Sequence, residues 1–293
     1  MLPAEICDSL LRRLEEQYRE PVTLSSVKPV SGGSINNAFH IRCNIGDFFL
    51  KYNYSDSFPG MFKAEAEGLK TLESCRCIRI PQVIHWADTG VLSYLLLEYL
   101  HPGHPSGDFW ETFGRKIAQL HHHTSPHFGF SSDNYIGSLK QLNDRHETWS
   151  SFLIKQRLQP MAEQAYTNGL MKTQDLKWLE LLYKRLPDLY PEEPPSLLHG
   201  DLWSGNFLSA HDGTPCLIDP AVYYGHRETY IAMTSLFGGF SKVFYDAYNH
   251  HYPLESGWKS RTSLGQLYPL LVHVNLFGEG YMGQVRQVLK QYV

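Results

Sequence analysis

His199-Gly200-Asp201-Leu202-Trp203-Ser204-Gly205-Asn206, followed downstream by Ile218-Asp219-Pro220, is the most telling part of the chain. Asp201 precedes Asn206 by five residues, and Asp219 lies thirteen beyond Asn206. Strand-sized apolar runs, Ser196 to Leu198 and Cys216 to Ile218, flank the two clusters. The polar residues are therefore expected on turns that close buried strands. A solvated turn rich in Gly, Asp and Asn is the plain alternative. The joint spacing and the bordering apolar runs weigh against it. Phosphoryl transfer from ATP needs a carboxylate to orient the attacking hydroxyl and accept its proton. It also needs hard oxygen ligands that hold Mg²⁺ against the phosphates. On this reading Asp201 is the catalytic base, and Asn206 and Asp219 are the metal ligands.

Working upstream, Val30 to Asn37 reads Val-Ser-Gly-Gly-Ser-Ile-Asn-Asn ahead of a β-type run. Gly32, Gly33, Ser34 and Asn36 suit a turn whose backbone N–H groups approach phosphate oxygens. No G-x-x-x-x-G-K-[ST] occurs in the sequence, so the Walker-type phosphate loop is excluded as the reading. Lys51 closes the next β-type run, and Glu65 falls in the following helical stretch. A strand lysine paired with a helix glutamate is the arrangement that positions α- and β-phosphates in protein kinases, whose catalytic loop also shares the Asp-to-Asn separation seen here. Either residue alone reads as a surface charge. Their order along the chain, ahead of Asp201, Asn206 and Asp219, carries the argument.

Periodicity divides the chain in two. Pro3 to Tyr18 predicts an amphipathic helix, with Pro3 in its first turn. Ala38 to Cys43 and Phe48 to Tyr52 predict a hairpin turning at Asn44 to Asp47. Met61 to Leu72 predicts a helix, and Tyr94 to Glu98 a buried strand. His101 to Gly107 is dense in Pro and Gly and reads as a linker. Beyond it helical spacing dominates: a helix capped by Asp108, another over Thr173 to Leu186 ending before Pro187, and a helical stretch from Tyr230 to Val293. The expected fold class is α+β, with a small β-rich lobe (1–100), a hinge (101–107) and a larger α-helical lobe (108–293).

Composition supports an ordered chain. The 293 residues are 42% hydrophobic and 13% aromatic, too apolar for disorder. No run of eighteen uncharged apolar residues occurs, so no membrane-spanning helix is expected. Net charge is −4 with no block of like charge, which argues against a nucleic-acid surface. The first ten residues lack a basic n-region and an apolar h-region, so a cytoplasmic location is expected. The five cysteines are odd in number and scattered, which favours reduced thiols. Cys75 and Cys77 lack the second pair a zinc site needs. His121, His122 and His123 are consecutive and cannot face one ion from a helix.

Further stretches carry a resemblance. Ser31 to Asn36, Ala64-Glu-Ala66 with Gly68-Leu69, Phe128-Gly-Phe130, Asp133 to Ser138 and Gln141 belong to it. So do His199 to Asn206, Ile218 to Glu228, Leu236 to Phe240 and His273 to Gly278. Together they resemble, almost end to end, the fructosamine kinase (ketosamine-3-kinase) family, within the aminoglycoside- and choline-type phosphotransferases. The resemblance implies a protein-kinase-like bilobal fold and ATP- and Mg²⁺-dependent phosphorylation of the C3 hydroxyl of a ketosamine, free or on protein lysines. The unstable 3-phosphate makes the reaction one of deglycation repair. The resemblance also implies an adenine hinge along the backbone of Glu98, Tyr99 and Leu100. Trp203 is implied in the acceptor pocket, where an indole packs on a sugar ring, and His273 and Asn275 are candidates for the same wall. The motifs for ATP do not fix the acceptor and leave a second reading open, a kinase of another small hydroxyl compound. A third reading, a non-catalytic nucleotide-binding or scaffold protein, would lack one of the key polar residues, whereas Lys51, Glu65, Asp201, Asn206 and Asp219 are all present. Two departures stand out. Tyr230 occupies a place that is usually acidic, and Ser34 replaces a cysteine that some members carry in the glycine turn.

Overall fold

In the computed structural model the described residues are 2–30 and 35–292. The predicted Gly32, Gly33 and Ser34 lie outside them. The N-terminal lobe is a five-stranded antiparallel sheet in the order β1-β2-β3-β5-β4. Its strands are β1 (Leu24–Pro29), β2 (Asn37–Cys43), β3 (Gly46–Tyr54), β4 (Val83–Asp88) and β5 (Leu92–Glu98). Helix α1 (Ala4–Tyr18) covers one face, and α2 (Met61–Ser74) packs against β4 and β5.

Strand alternation sorts the two faces. Phe39, Ile41, Phe48, Leu50, Tyr94 and Leu96 join Ile6, Leu10 and Leu14 of α1 in one apolar core. The residues between them point the other way. Leu95 and Leu97 belong to the main core, and Lys51 sits opposite both Leu95 and Ala38. Lys51 is therefore carried to the cleft face by the period of two. On α2, Glu65 lies one turn from both Met61 and Leu69, so it shares their inward side.

The C-terminal lobe begins with α3 (Phe109–His121) and is mainly helical. Among the described residues three short antiparallel ladders interrupt it. Asn134–Ile136 pairs with Leu139–Gln141, Ser196–Leu198 with Tyr223–Gly225, and Phe207–Ser209 with Pro215–Leu217. The last two hold the segment 199–206 at both ends and likewise the segment 218–222.

Several expectations need correction. Pro3 is the N-cap of α1, not part of its first turn. The hairpin turns on Asn44 and Ile45, because pairing runs through Cys43 and Gly46. Asp108 is the N-cap of α3, but its carboxylate accepts from the Ser106 and Thr112 hydroxyls and caps no backbone N–H. The helix Thr173–Leu189 runs through Pro187. That residue lies in the last turn, where only one backbone donor is lost. The final helical stretch starts earlier, at Arg227, and is divided into separate helices.

Candidate active site

The segment 199–206 leaves the ladder strand Ser196–Leu198 and folds back on the segment after Leu217. Ala221 N–H donates to His199 O (2.8 Å), and Ile218 N–H donates to Asn206 O (3.1 Å). Gly200 permits this closeness: its φ is +87°, and a Cβ there would lie 1.8 Å from Ala221 O. His199 is fully buried. Its Nε2–H donates to Ile218 O (2.8 Å), and Nδ1 accepts from Asp201 N–H (3.4 Å). Burial lowers its pKa to about 4, so the ring is neutral and works as a brace between the two segments.

Asp201 and Asn206 meet inside this loop. Asn206 Nδ2 donates to Asp201 O (2.7 Å) and to Asp201 Oδ2 (2.9 Å). Burial pushes the Asp201 carboxyl up to about 7; the bond from Asn206 opposes that rise, and the Asp219 charge adds to it. A carboxylate near neutrality is well matched to proton transfer at physiological pH.

Lys51 joins the lobes. Its Nζ donates to Glu65 Oε1 (2.6 Å) and to Asp219 Oδ1 (2.7 Å). Burial alone would lower the ammonium pKa, but the Asp219 and Glu65 carboxylates outweigh it, and the net shift is upward. Asp219 adopts φ +54°, a left-handed backbone that L-residues seldom take. Asn206 has committed its amide N–H groups to Asp201, and its Oδ1 accepts no hydrogen bond among the described residues. That oxygen and the carboxylate of Asp219 are hard donors lining one space, a donor set that fits Mg²⁺.

Two cavities share Ile35, Asn36, Lys51 and Asp219. The sheet-side cavity, about 400 Å³, lies against Ala38, Phe49 and Leu97 and the backbone of Glu98, Tyr99 and Leu100. Glu98 N–H donates to Gln82 O and Tyr99 N–H to Asp47 O. Leu100 makes no hydrogen bond through either backbone group among the described residues, which leaves both open to a ligand edge. Asn36 Oδ1 accepts from Asn53 Nδ2 (2.8 Å) at the junction.

The helix-side cavity, about 560 Å³, contains Asp201, Trp203, Asn206, Glu65 and His273. Trp203 is 40% exposed. Its indole lies over Gly205, where a Cβ would stand 2.4 Å from the ring. His273 Nδ1–H donates to Pro269 O (2.8 Å), so Nε2 is left as an acceptor. Burial lowers the pKa of this ring, partly offset by the Pro269 carbonyl. Asn275 does not reach the cavity. Its Nδ2 donates to Met161 O (2.9 Å) and Leu271 O (3.0 Å), and residues two apart on a helix face different ways.

Other wall residues were not singled out from the sequence. Phe58, Tyr135 and Phe277 line the helix-side cavity, and Phe277 is 61% exposed. The turn 134–138 is tied beside Asp219 by two amides. Asn134 Nδ2 donates to Val222 O (2.8 Å), and Gln141 Nε2 donates to Ala221 O (3.0 Å). The motif Asp133 to Ser138 with Gln141 was visible as a sequence signal, without a role.

A sheet lobe and a helical lobe, joined by a lysine salted to a helix glutamate and a loop aspartate, define a phosphotransferase of the protein-kinase-like fold. An aminoglycoside phosphotransferase, APH(4)-Ia, shows the same fold, with a TM-score of 0.62 over 96% of this chain and 98% of that one, at 15% identity. The family model described as "Fructosamine kinase" matches residues 7–293, and the chain belongs to that family. A relative from Enterococcus faecium, named "Probable ketoamine kinase", is 42% identical over 91% of this chain and 95% of its own length. A solved structure from Thermobifida fusca, named "putative fructosamine-3-kinase", superposes with a TM-score of 0.86 at 33% identity, covering 97% of this chain and 98% of that one. No helix among the described residues is long and apolar enough to cross a membrane.

Proposed function

We propose that the protein transfers the γ-phosphoryl group of ATP to the C3 hydroxyl of a ketosamine, a sugar adduct of an amine or protein lysine. The observation that carries this reading is the meeting of two cavities at one charged junction, with Asp201 on one side and the free backbone of Leu100 on the other. Adenine occupies the sheet-side cavity against Phe49, Leu97 and Leu208, edge-on to Leu100. Lys51, oriented by Glu65, holds the α- and β-phosphates. Asn206 and Asp219 would hold Mg²⁺, which when bound neutralises charge on the phosphates. The acceptor lies in the helix-side cavity with its sugar on Trp203 and a hydroxyl within reach of neutral His273. Asp201 receives the C3 hydroxyl proton as the oxygen bonds to the γ-phosphorus and the bond to the ADP oxygen breaks. The 3-phosphate then makes the adduct labile, so the activity is one of deglycation.

The test is phosphorus NMR of the protein with ATP, Mg²⁺ and fructoselysine, beside ribulose-derived and erythrulose-derived adducts, an aminoglycoside and choline. A sugar 3-phosphate resonance from a ketosamine supports the reading. A phosphorylated aminoglycoside or choline beside unmodified ketosamines replaces it with a kinase of another small hydroxyl compound.

A further inference from the structure

Gly200 also lines a third, much smaller cavity, of about 20 Å³, within the helical lobe. Every residue lining it is buried. The volume suits one water-sized occupant. Three side-chain polar atoms of its lining residues are buried with no hydrogen-bond acceptor among the described residues: Trp149 Nε1, Arg157 Nε and Tyr230 OH, the last of whose oxygen faces the His199 backbone N–H. An indole N–H and a guanidinium N–H can only donate, and a phenol can donate.

The charge at this place is unusual. Arg157 has no exposed surface, and among the described residues it forms no ion pair with a carboxylate. Its Nη1 donates to the carbonyls of Leu142 and Gln156, and its Nη2 donates to Asn143 Oδ1 (2.8 Å). Its guanidinium carbon stands 4.1 Å from the centre of the Tyr223 ring and 4.5 Å from that of Phe152. Neutral acceptors and aromatic faces ease a buried cation, but they do not neutralise it. The Tyr223 hydroxyl on the wall faces the same guanidinium, and the hydroxyls of Thr229 and Tyr268 are already engaged. Thr229 Oγ1 donates to His226 O, and Tyr268 OH donates to Gln141 Oε1. Glu228, adjacent to Thr229, is held by Arg261 through two bonds of 2.7 and 2.8 Å. Asp201, adjacent to Gly200, accepts from Asn206 and lines the helix-side cavity.

A water would accept from two of the donors and leave the guanidinium charge uncompensated. A monatomic anion accepts from all three and balances the charge. We propose that this cavity binds one small monovalent anion of the halide class, held by Trp149 Nε1, Arg157 Nε and Tyr230 OH beneath the catalytic loop. The site is independent of which acceptor the enzyme phosphorylates.

Thermal unfolding of the full chain, with gluconate exchanged for chloride or bromide at constant ionic strength, reads the site in solution. Tm is expected to rise saturably, by about 5 °C at a hundredfold excess over Kd. Crystals grown in bromide are expected to show an anomalous peak within hydrogen-bonding distance of the three donors. Arg157→Met is expected to abolish the halide dependence of Tm. Should that variant not fold, Tyr230→Phe removes one donor and is expected to weaken apparent halide affinity about tenfold. Equal Tm in gluconate and halide overturns the proposal. So does density for water with no anomalous signal. A bromide peak without a Tm effect marks an adventitious ion only and overturns it as well.

Discussion

The sheet-side cavity takes its roof from one sheet and the backbone of Glu98 to Leu100, whereas the helix-side cavity is assembled from seven separated segments. Those segments are 35–36, residue 51, 58–65, 134–138, 201–206, 219–221 and 272–277. The first cavity offers apolar faces and open backbone groups, which suit a flat heterocycle of fixed shape. The second offers exposed rings, Trp203 and Phe277, around a carboxylate and a neutral imidazole. On the proposed reading, a ligand common to many phosphotransferases meets a regular element, and the variable acceptor meets a surface that any of several loops can alter. Asp219 and Lys51 belong to both cavities, so the proposed chemistry lies at their border.

Substitutions on either side should separate the two cavities. The largest effect is expected at the border. Asp201→Asn should lower kcat by roughly 10²- to 10⁴-fold while ATP affinity by calorimetry stays within twofold. Unimpaired turnover would remove Asp201 as the base and leave the helix-side cavity without its reactive group.

Next in size is the brace beneath the border. His199 has a folded pKa of about 4, against about 6.5 for an unperturbed histidine. Between those values the unfolded chain binds more protons, so stability rises with pH. The contribution is full above pH 6.5 and is lost as pH falls towards 4, a change of about 3 kcal/mol. Urea unfolding at pH 7 and pH 5 should show a smaller difference in His199→Gln than in the parent. An identical pH dependence in both would contradict a buried neutral imidazole.

Trp203→Ala should raise the acceptor KM about tenfold, through lost stacking on the sugar, with the ATP KM unchanged. Leu208→Ala, on the opposite side of the border, should do the converse at smaller size. The expected rise is about threefold to fivefold in the ATP KM, from lost apolar contact, with the acceptor KM unchanged. Steady-state kinetics with each substrate varied in turn separates these outcomes. A variant that shifts both KM values equally would show that the cavities are not independent.

The same contrast explains what could be read from the sequence. Lys51 was legible from its place at the end of an apolar run and its order ahead of Glu65, Asp201, Asn206 and Asp219, whereas the face it takes emerges only with the paired sheet, whose period of two turns it to the cleft. Asp201 and Asn206 were legible because five residues on one loop bring both side chains together locally. The strands β1 and β4 were not, since both lack strict alternation and neither has a fully buried residue. Of the wall residues, Tyr135 and Phe277 lay in recognised motifs without a role and Phe58 gave no local signal, for their partners are distant in sequence. His273 and Asn275 were grouped by motif, but the helical period parted them. The turn Leu153–Leu158 is π-helical, an irregularity that side-chain pattern does not announce. It carries Arg157, whose burial without a carboxylate was equally invisible before folding.

The most direct measurement is a crystal structure with a non-hydrolysable ATP analogue, Mg²⁺ and a fructosamine bound together. The account predicts adenine at Leu100, the cation between Asn206 Oδ1 and Asp219, and the sugar C3 hydroxyl about 2.6–3.2 Å from the Asp201 carboxylate. An analogue seated in the helix-side cavity, or a sugar whose C3 hydroxyl points away from Asp201, would contradict it.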